Sequence, residues 1–116
     1  MEVTEVREIT QKIITEASGV VIGSESVIEK MLAAFLAGGH VLLEDRPGSG
    51  KTTLAKTLAR LLDVGQKRVQ FTPDLMPSDI TGLNVYSQKD GEFHLVKGPV
   101  FTNILLADEI NRATPR

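Results

Sequence analysis

The sequence predicts an α/β fold in which mostly parallel strands are flanked by helices. Three observations predict it. The chain reads in the order helix, helix, strand, helix, strand, hairpin, strand. Its two strongest apolar runs, His40–Glu44 and Ile104–Ala107, are too short for helices and read as buried strands. A glycine-rich turn, Asp45 to Gly50, sits between the first of them and a helix.

The elements follow from spacing. Val3, Val6, Ile13 and Ile14 fall at helical intervals among charged residues, so residues 2–17 form an amphipathic helix, which Gly19 and the Val20-Val21-Ile22-Gly23 run break. Val27, Ile28, Met31, Leu32, Phe35 and Leu36 make one apolar face of a second helix. Ser26 and Glu29 form a capping-box pattern at its start, and Gly38-Gly39 stops it. A third helix runs from about Lys51 to Leu62, with Leu54, Ala55, Leu58, Leu61 and Leu62 inward, and Gly65 ends it. Residues 68–72 read as the second strand. Residues 73–83, broken by Pro73 and Pro77, read as loop or short helix. Asn84–Gln88 and Glu92–Val96 flank an Asp-Gly step and predict a hairpin.

Composition narrows the function classes. The 116 residues set a ceiling of one domain, 41% hydrophobic and 24% charged. Thirteen Lys and Arg against 15 Asp and Glu give a net charge of −2, which argues against a nucleic-acid partner. No cysteine is present, so a disulfide scaffold, a thiol nucleophile and a cysteine zinc site are excluded. No apolar run approaches the roughly 20 residues of a membrane span. The start, Met1-Glu2-Val3-Thr4-Glu5, lacks the form of a signal peptide, so a cytoplasmic protein without direct membrane insertion is expected.

The chemical signal is Pro47-Gly48-Ser49-Gly50-Lys51-Thr52-Thr53, between strand and helix. Polyphosphate is dense negative charge, and glycines at 48 and 50 let inward-pointing backbone amides approach it. The first helical turn adds amides and the positive end of the helix dipole. Lys51 would reach the β- and γ-phosphates, the Thr52 hydroxyl would ligate Mg²⁺, and Thr53 would touch the α-phosphate. Asp45 stands where the general pattern has its first glycine, and is expected to face away from the phosphates. The second signal is the strand ending in Asp108-Glu109. Such a strand delivers its acids at the sheet edge where open α/β sheets bind ligands. Asp108 would hold Mg²⁺, directly or through its water, and Glu109 would polarise the attacking water. Together the motifs predict Mg²⁺-dependent nucleoside-triphosphate hydrolysis. His40 and His94 read as structural or exposed. Lys67-Arg68 reads as a solvated strand entry, and Asn111 and Arg112 as turn-stabilising or neighbour-facing residues.

Several stretches together resemble the MoxR-type AAA+ ATPases. They are Val21-Ile22-Gly23, the Ala37–Glu44 approach to the Pro-Gly-x-Gly-Lys-Thr loop, Gln70–Gly82 with its Pro-Ser-Asp-Ile-Thr-Gly stretch, Gly91-Glu92-Phe93, Gly98–Phe101 and Ala107–Ala113. The resemblance covers roughly residues 19–116, leaving 1–18 as a leading helix. It implies a P-loop NTPase (AAA+) core with an inserted β-hairpin that engages substrates or partners, and it makes Val21, Ile22 and Gly23 candidates for the adenine pocket. It also implies ATP and Mg²⁺ as cofactors, a ring-forming homo-oligomer with ATP at subunit boundaries, and chaperone-like remodelling alongside proteins carrying a von Willebrand factor A domain. By the same resemblance the domain is incomplete at its C-terminus, without sensor strand, arginine finger or helical lid. The 116 residues are then expected to be marginal alone or to pair with a second copy, and to bind ATP far better than they hydrolyse it. Two other functions compete. A nucleotide-gated interaction module without turnover would have no need of Glu109, and a P-loop kinase would need an acceptor pocket that nothing here marks.

Overall fold

The computed structural model describes residues 1–20, 25–44 and 50–116, with the backbone alone at Lys51. The chain divides into two units, Met1–Val64 and Gly65–Arg116.

The first unit is helical. Helix α1 spans Val3–Val20, α2 spans Glu25–Ala37 and α3 spans Lys51–Leu62. Ala17, Ile28, Leu32, Leu54 and Leu58 meet in its core, with Ile13, Ile14, Val27, Met31, Leu61 and Leu62 packed around them. Apart from Ala17 these are inward positions that helical spacing predicts, because residues three and four apart share one helix face, but Val3, Phe35 and Leu36, expected on the same apolar faces, are exposed. Helix α1 runs through Gly19 instead of breaking there, a modest cost that packing on α2 and α3 offsets. Helix α2 stops as expected. Gly38 turns left-handed at φ 70°, and the Gly39 N–H donates to the Ala34 carbonyl at 2.7 Å. Its predicted capping box cannot hold, because Ser26 already lies inside a helix that starts at Glu25; what precedes Glu25 lies outside the described residues. Helix α3 ends on Asp63 and not on Gly65: Asp63 takes the left-handed conformation at φ 54°, and the Val64 N–H donates to the Ala59 carbonyl at 3.0 Å. Asp is among the few side chains that tolerate this region.

The buried strand expected at His40–Glu44 is absent. No ladder among the described residues reaches it, and Val41 and Leu42 are exposed. A lone extended segment has no neighbour to bond its amides and carbonyls, so apolar composition does not make it a strand.

The second unit holds all four strands found among the described residues. Strand β1 (Gln66–Gln70) pairs in parallel with β4 (Ile104–Asp108), in a register that sets Gln66 against Ile104 and Gln70 against Asp108. This β1 lies two residues ahead of the expected 68–72. Pairing draws it there, since Ile104 N–H donates to the Gly65 carbonyl at 3.0 Å and Asn103 Oδ1 accepts from the Gly65 N–H at 3.1 Å. The short helix α4 (Pro77–Thr81) has Pro at its first position, and the Asp79 carboxylate accepts from the Met76 N–H at 2.8 Å.

Strands β2 (Gly82–Ser87) and β3 (Glu92–Lys97) form the predicted hairpin, antiparallel and longer than expected. It can extend because Gly82, at φ 87° and ψ −177°, starts β2 where a Cβ would fall on the Val96 carbonyl oxygen. Tyr86 and Phe93, opposite each other, meet edge to face with centroids 5.3 Å apart. In the turn, Asp90 accepts from the Glu92 N–H at 3.1 Å and lies 2.5 Å from His94 Nε2. The Glu92 amide first, and His94 second, hold the Asp90 carboxyl below its ordinary value of 3.8.

Two outcomes test this packing. Leu32→Ala removes a fully buried side chain and is expected to cost about 2–5 kcal/mol, read from the urea midpoint. Because the Asp90 pKa is depressed on folding, its contribution is complete above about 3.8 and is lost as pH falls through the lower folded value. NMR shifts of the hairpin amides should therefore show a transition below that pH which Asp90→Asn lacks; an identical transition in the variant refutes the assignment.

Candidate functional site

The phosphate-binding signal lies in the first unit. Its described part is Gly50 and the first turn of α3. Gly50 is the N-cap, left-handed at φ 88° and ψ 15°, and being glycine it offers no side chain to cap the helix. The Leu54 N–H donates to the Gly50 carbonyl at 2.9 Å, so the regular α-helical bonding starts there and the amides of residues 51–53 precede it. No acidic residue occupies the first turn. Thr52 is half-buried and Thr53 exposed. Among the described residues the helix start is uncapped, free of carboxylates and led by a left-handed glycine, which suits an anion. Val21, Ile22, Gly23, Asp45, Pro47, Gly48 and Ser49 lie outside the described residues, as does the Lys51 side chain.

The carboxylates lie in the second unit, at the C-terminal end of β4. The ladder carries Asp108 to the sheet edge, and the Phe71 N–H donates to its carbonyl at 2.9 Å, so its main chain is fixed on the β1 side. Glu109 then leaves the strand in the left-handed conformation, φ 53°, which turns the chain into a single 3₁₀ turn, Ile110–Arg112. The turn therefore separates the two acids: Asp108 ends the strand half-buried while Glu109 is exposed. Arg112 Nη1 lies 3.2 Å from Glu109 Oε2, so Arg112 stabilises the turn, one of the two roles its position suggested.

Arg68 is the residue that sequence reading misplaced. It is no mere solvated strand entry: its Nη2 donates to Asp108 Oδ2 at 2.7 Å. In the parallel register Arg68 faces Leu106 and Gln70 faces Asp108, so Arg68 and Asp108 stand diagonally on one sheet face. An arginine two residues before the end of a strand adjoining an acid-terminated strand was the available signal. It becomes readable only once the register is known.

The donor set has a consistent character. Taken unit by unit, the Thr52 hydroxyl in the first and the Asp108 and Glu109 carboxylates in the second are hard oxygen ligands of the kind Mg²⁺ takes, while no thiolate exists in the chain. A separate grouping on the hairpin, Asp90, Glu92 and His94, brings one ligand atom from each within 4.8 Å. All three are exposed, and the turn's own bonds employ Asp90 and His94. No helix among the described residues is long and apolar enough to cross a membrane.

Residues 40–116 match the model of the ATPase family associated with various cellular activities (AAA). The chain is 49% identical over 105 residues to the uncharacterized protein YeaC of Bacillus subtilis, covering 90% of this chain and 33% of that protein. It is 47% identical over 103 residues to the chaperone MoxR1 of Mycobacterium tuberculosis, covering 89% and 27%. A crystallised protein of Cytophaga hutchinsonii, whose ATPase assignment is provisional, superposes with a TM-score of 0.76 at 42% identity, over 99% of this chain and 37% of that one. The chain thus spans about a third of the length of these relatives. It belongs to the AAA family of ATPases, among the MoxR-type members.

Gly50 gives a test that needs no nucleotide. Among the described residues a Cβ there meets nothing within 4 Å, so Gly50→Ala tests the left-handed backbone. The variant is expected to lose about 1–2 kcal/mol of stability in denaturant unfolding. No loss would show that the helix start relaxes to an ordinary conformation.

Proposed function

We propose that the chain is the nucleotide-contacting part of a MoxR-type ATPase, binding ATP with Mg²⁺ and carrying the groups for its hydrolysis. On this reading residues 1–18 are a leading helix and 19–116 the P-loop core through the Asp108-Glu109 motif. The observation that carries the proposal is the uncapped, glycine-led start of α3, with Lys51, Thr52 and Thr53 as its first turn. Those amides and the loop residues Pro47, Gly48, Ser49 and Gly50 would cradle the phosphates. The Lys51 ammonium would neutralise the β- and γ-phosphates, Thr53 would bond the α-phosphate, and Val21, Ile22 and Gly23 would wall the adenine. The Thr52 hydroxyl and Asp108 would hold Mg²⁺, which when bound spreads the charge developing on the phosphate oxygens. Glu109 would accept a proton from the attacking water and aim its lone pair at the γ-phosphorus. An arginine supplied in trans by a neighbouring copy would add about 10³–10⁵ in rate, the range of measured fingers, so turnover should depend on assembly.

The whole protein is proposed to act in the cytoplasm, as a ring-forming homo-oligomer that remodels partner proteins, with a von Willebrand factor A domain protein as one partner class. The hairpin supports a role in engaging partners, because Tyr86, Phe93, Leu95 and Val96 are all exposed on it.

A fluorescent ATP analogue titrated with Mg²⁺ tests the reading, with phosphate release followed in the same samples. Lys51→Ala should lose at least ~10-fold in affinity, the scale of one charged phosphate contact. Glu109→Gln should bind as the parent does while its residual phosphate release disappears. Failure of the parent chain to bind any nucleotide would refute the proposal.

A further inference from the structure

We propose that Arg68 is a positioning residue for the metal-facing carboxylate: it fixes the Asp108 side chain so that the acid meets Mg²⁺ already oriented. The inference rests on the reading of Asp108 as a metal-holding group.

Three observations carry it. The Arg68 Nη2 to Asp108 Oδ2 distance of 2.7 Å is that of a charge-assisted hydrogen bond, the stronger and more directional kind. Both residues sit on paired strands, so the bond joins two fixed backbones, and the Asp108 carbonyl is itself held by the Phe71 N–H. The neighbouring acid is served separately: Glu109 turns out of the strand and has its own guanidinium, with Arg112 Nη1 at 3.2 Å, while Arg68 bonds Asp108.

Stability does not explain the pair. With the side chains 39% and 28% exposed, an ion pair of this kind contributes at most about 1 kcal/mol. Its value lies in direction. Mg²⁺ keeps several of its waters and demands near-ideal octahedral geometry, so a carboxylate that serves it through one bond or one water must point correctly. Outer-shell partners that orient metal-binding groups typically change metal affinity by about 10–100-fold when removed.

The experiment uses Mn²⁺ as the probe, titrated by EPR into the chain saturated with ADP. A fluorescent ADP analogue in EDTA reports nucleotide binding without metal. Arg68→Gln and Arg68→Met, the second retaining the apolar stem, should each weaken Mn²⁺ binding about tenfold while affinity in EDTA stays unchanged. Arg68→Lys, which keeps the charge, should recover part of that loss. A merely structural role would instead lower the EDTA affinity and the thermal midpoint together, and that result overturns the proposal. So does unchanged or tighter Mn²⁺ binding in Arg68→Gln, which would make Arg68 a bystander or a competitor for the carboxylate. Asp108→Asn separates the two levels. If it leaves Mn²⁺ binding intact, the reading of Asp108 itself fails and the role of Arg68 falls with it. If it weakens Mn²⁺ binding while Arg68→Gln does not, only the role of Arg68 is lost.

Discussion

The parallel register of β1 and β4 is the constraint on which the carboxylate half of the chain depends. Gln70 opposite Asp108 sets everything else there. It brings Arg68 diagonally onto Asp108 and lets the Phe71 N–H close the ladder on the Asp108 carbonyl. It also ends the strand one residue before Glu109 has to turn. A slip of one residue would send Asp108 to the opposite sheet face and leave Arg68 beside an aliphatic neighbour, because side chains alternate with a period of two. The pairing is anchored away from the acids, by the Asn103 side chain on the Gly65 N–H and by the Ile104 amide on the Gly65 carbonyl. The register is thus decided at the start of both strands and used at their ends.

The hairpin shows the opposite arrangement, in which local chemistry suffices. Its turn is closed by Asp90, which accepts from the Glu92 amide and sits against His94, and its middle by the Tyr86–Phe93 ring pair. Its base requires a residue without Cβ, since Gly82 passes against the Val96 carbonyl. None of these contacts needs a deep core, and β3 is exposed along its whole length. A two-stranded ribbon with this much apolar surface in water is marginal by itself. Its many short-range bonds define its shape while leaving Phe93, Leu95 and Val96 available.

These contrasts explain what was legible in the sequence. Helices α2 and α3 were readable because a helix makes its hydrogen bonds within itself, so the period of Ile28, Leu32, Leu54 and Leu58 carries both the element and its buried face. The hairpin was readable from Asp90-Gly91 for the same reason. Strands whose partners are distant in sequence were legible only in part. The apolar run at 40–44 looked like a strand and is none, the one at Ile104–Ala107 is β4, and β1 was expected two residues late because Gln66 and Lys67 carry no apolar signal. The chemistry divides likewise. The phosphate signal sits in consecutive residues, so its pattern is visible at once, and Asp108 and Glu109 are adjacent. Arg68 lies 40 residues from Asp108, and only pairing joins them.

Helix α3 shows a further trade in its two ends. At its C-terminus Asp63, which has a Cβ, takes up a left-handed conformation, so the chain tolerates some backbone cost there to stop the helix. At its N-terminus the reverse holds. A serine or aspartate N-cap in ordinary extended geometry would stabilise the helix start, and an aspartate would also complement the dipole. The chain instead places glycine there at φ 88°, with no side-chain cap and no acid in the first turn. Neither the N-cap nor the first turn supplies a group that would quench the positive end of the helix. Helix stability alone gives no reason for that choice, whereas an anion bound from outside does, since an internal carboxylate would compete with it for the same amides.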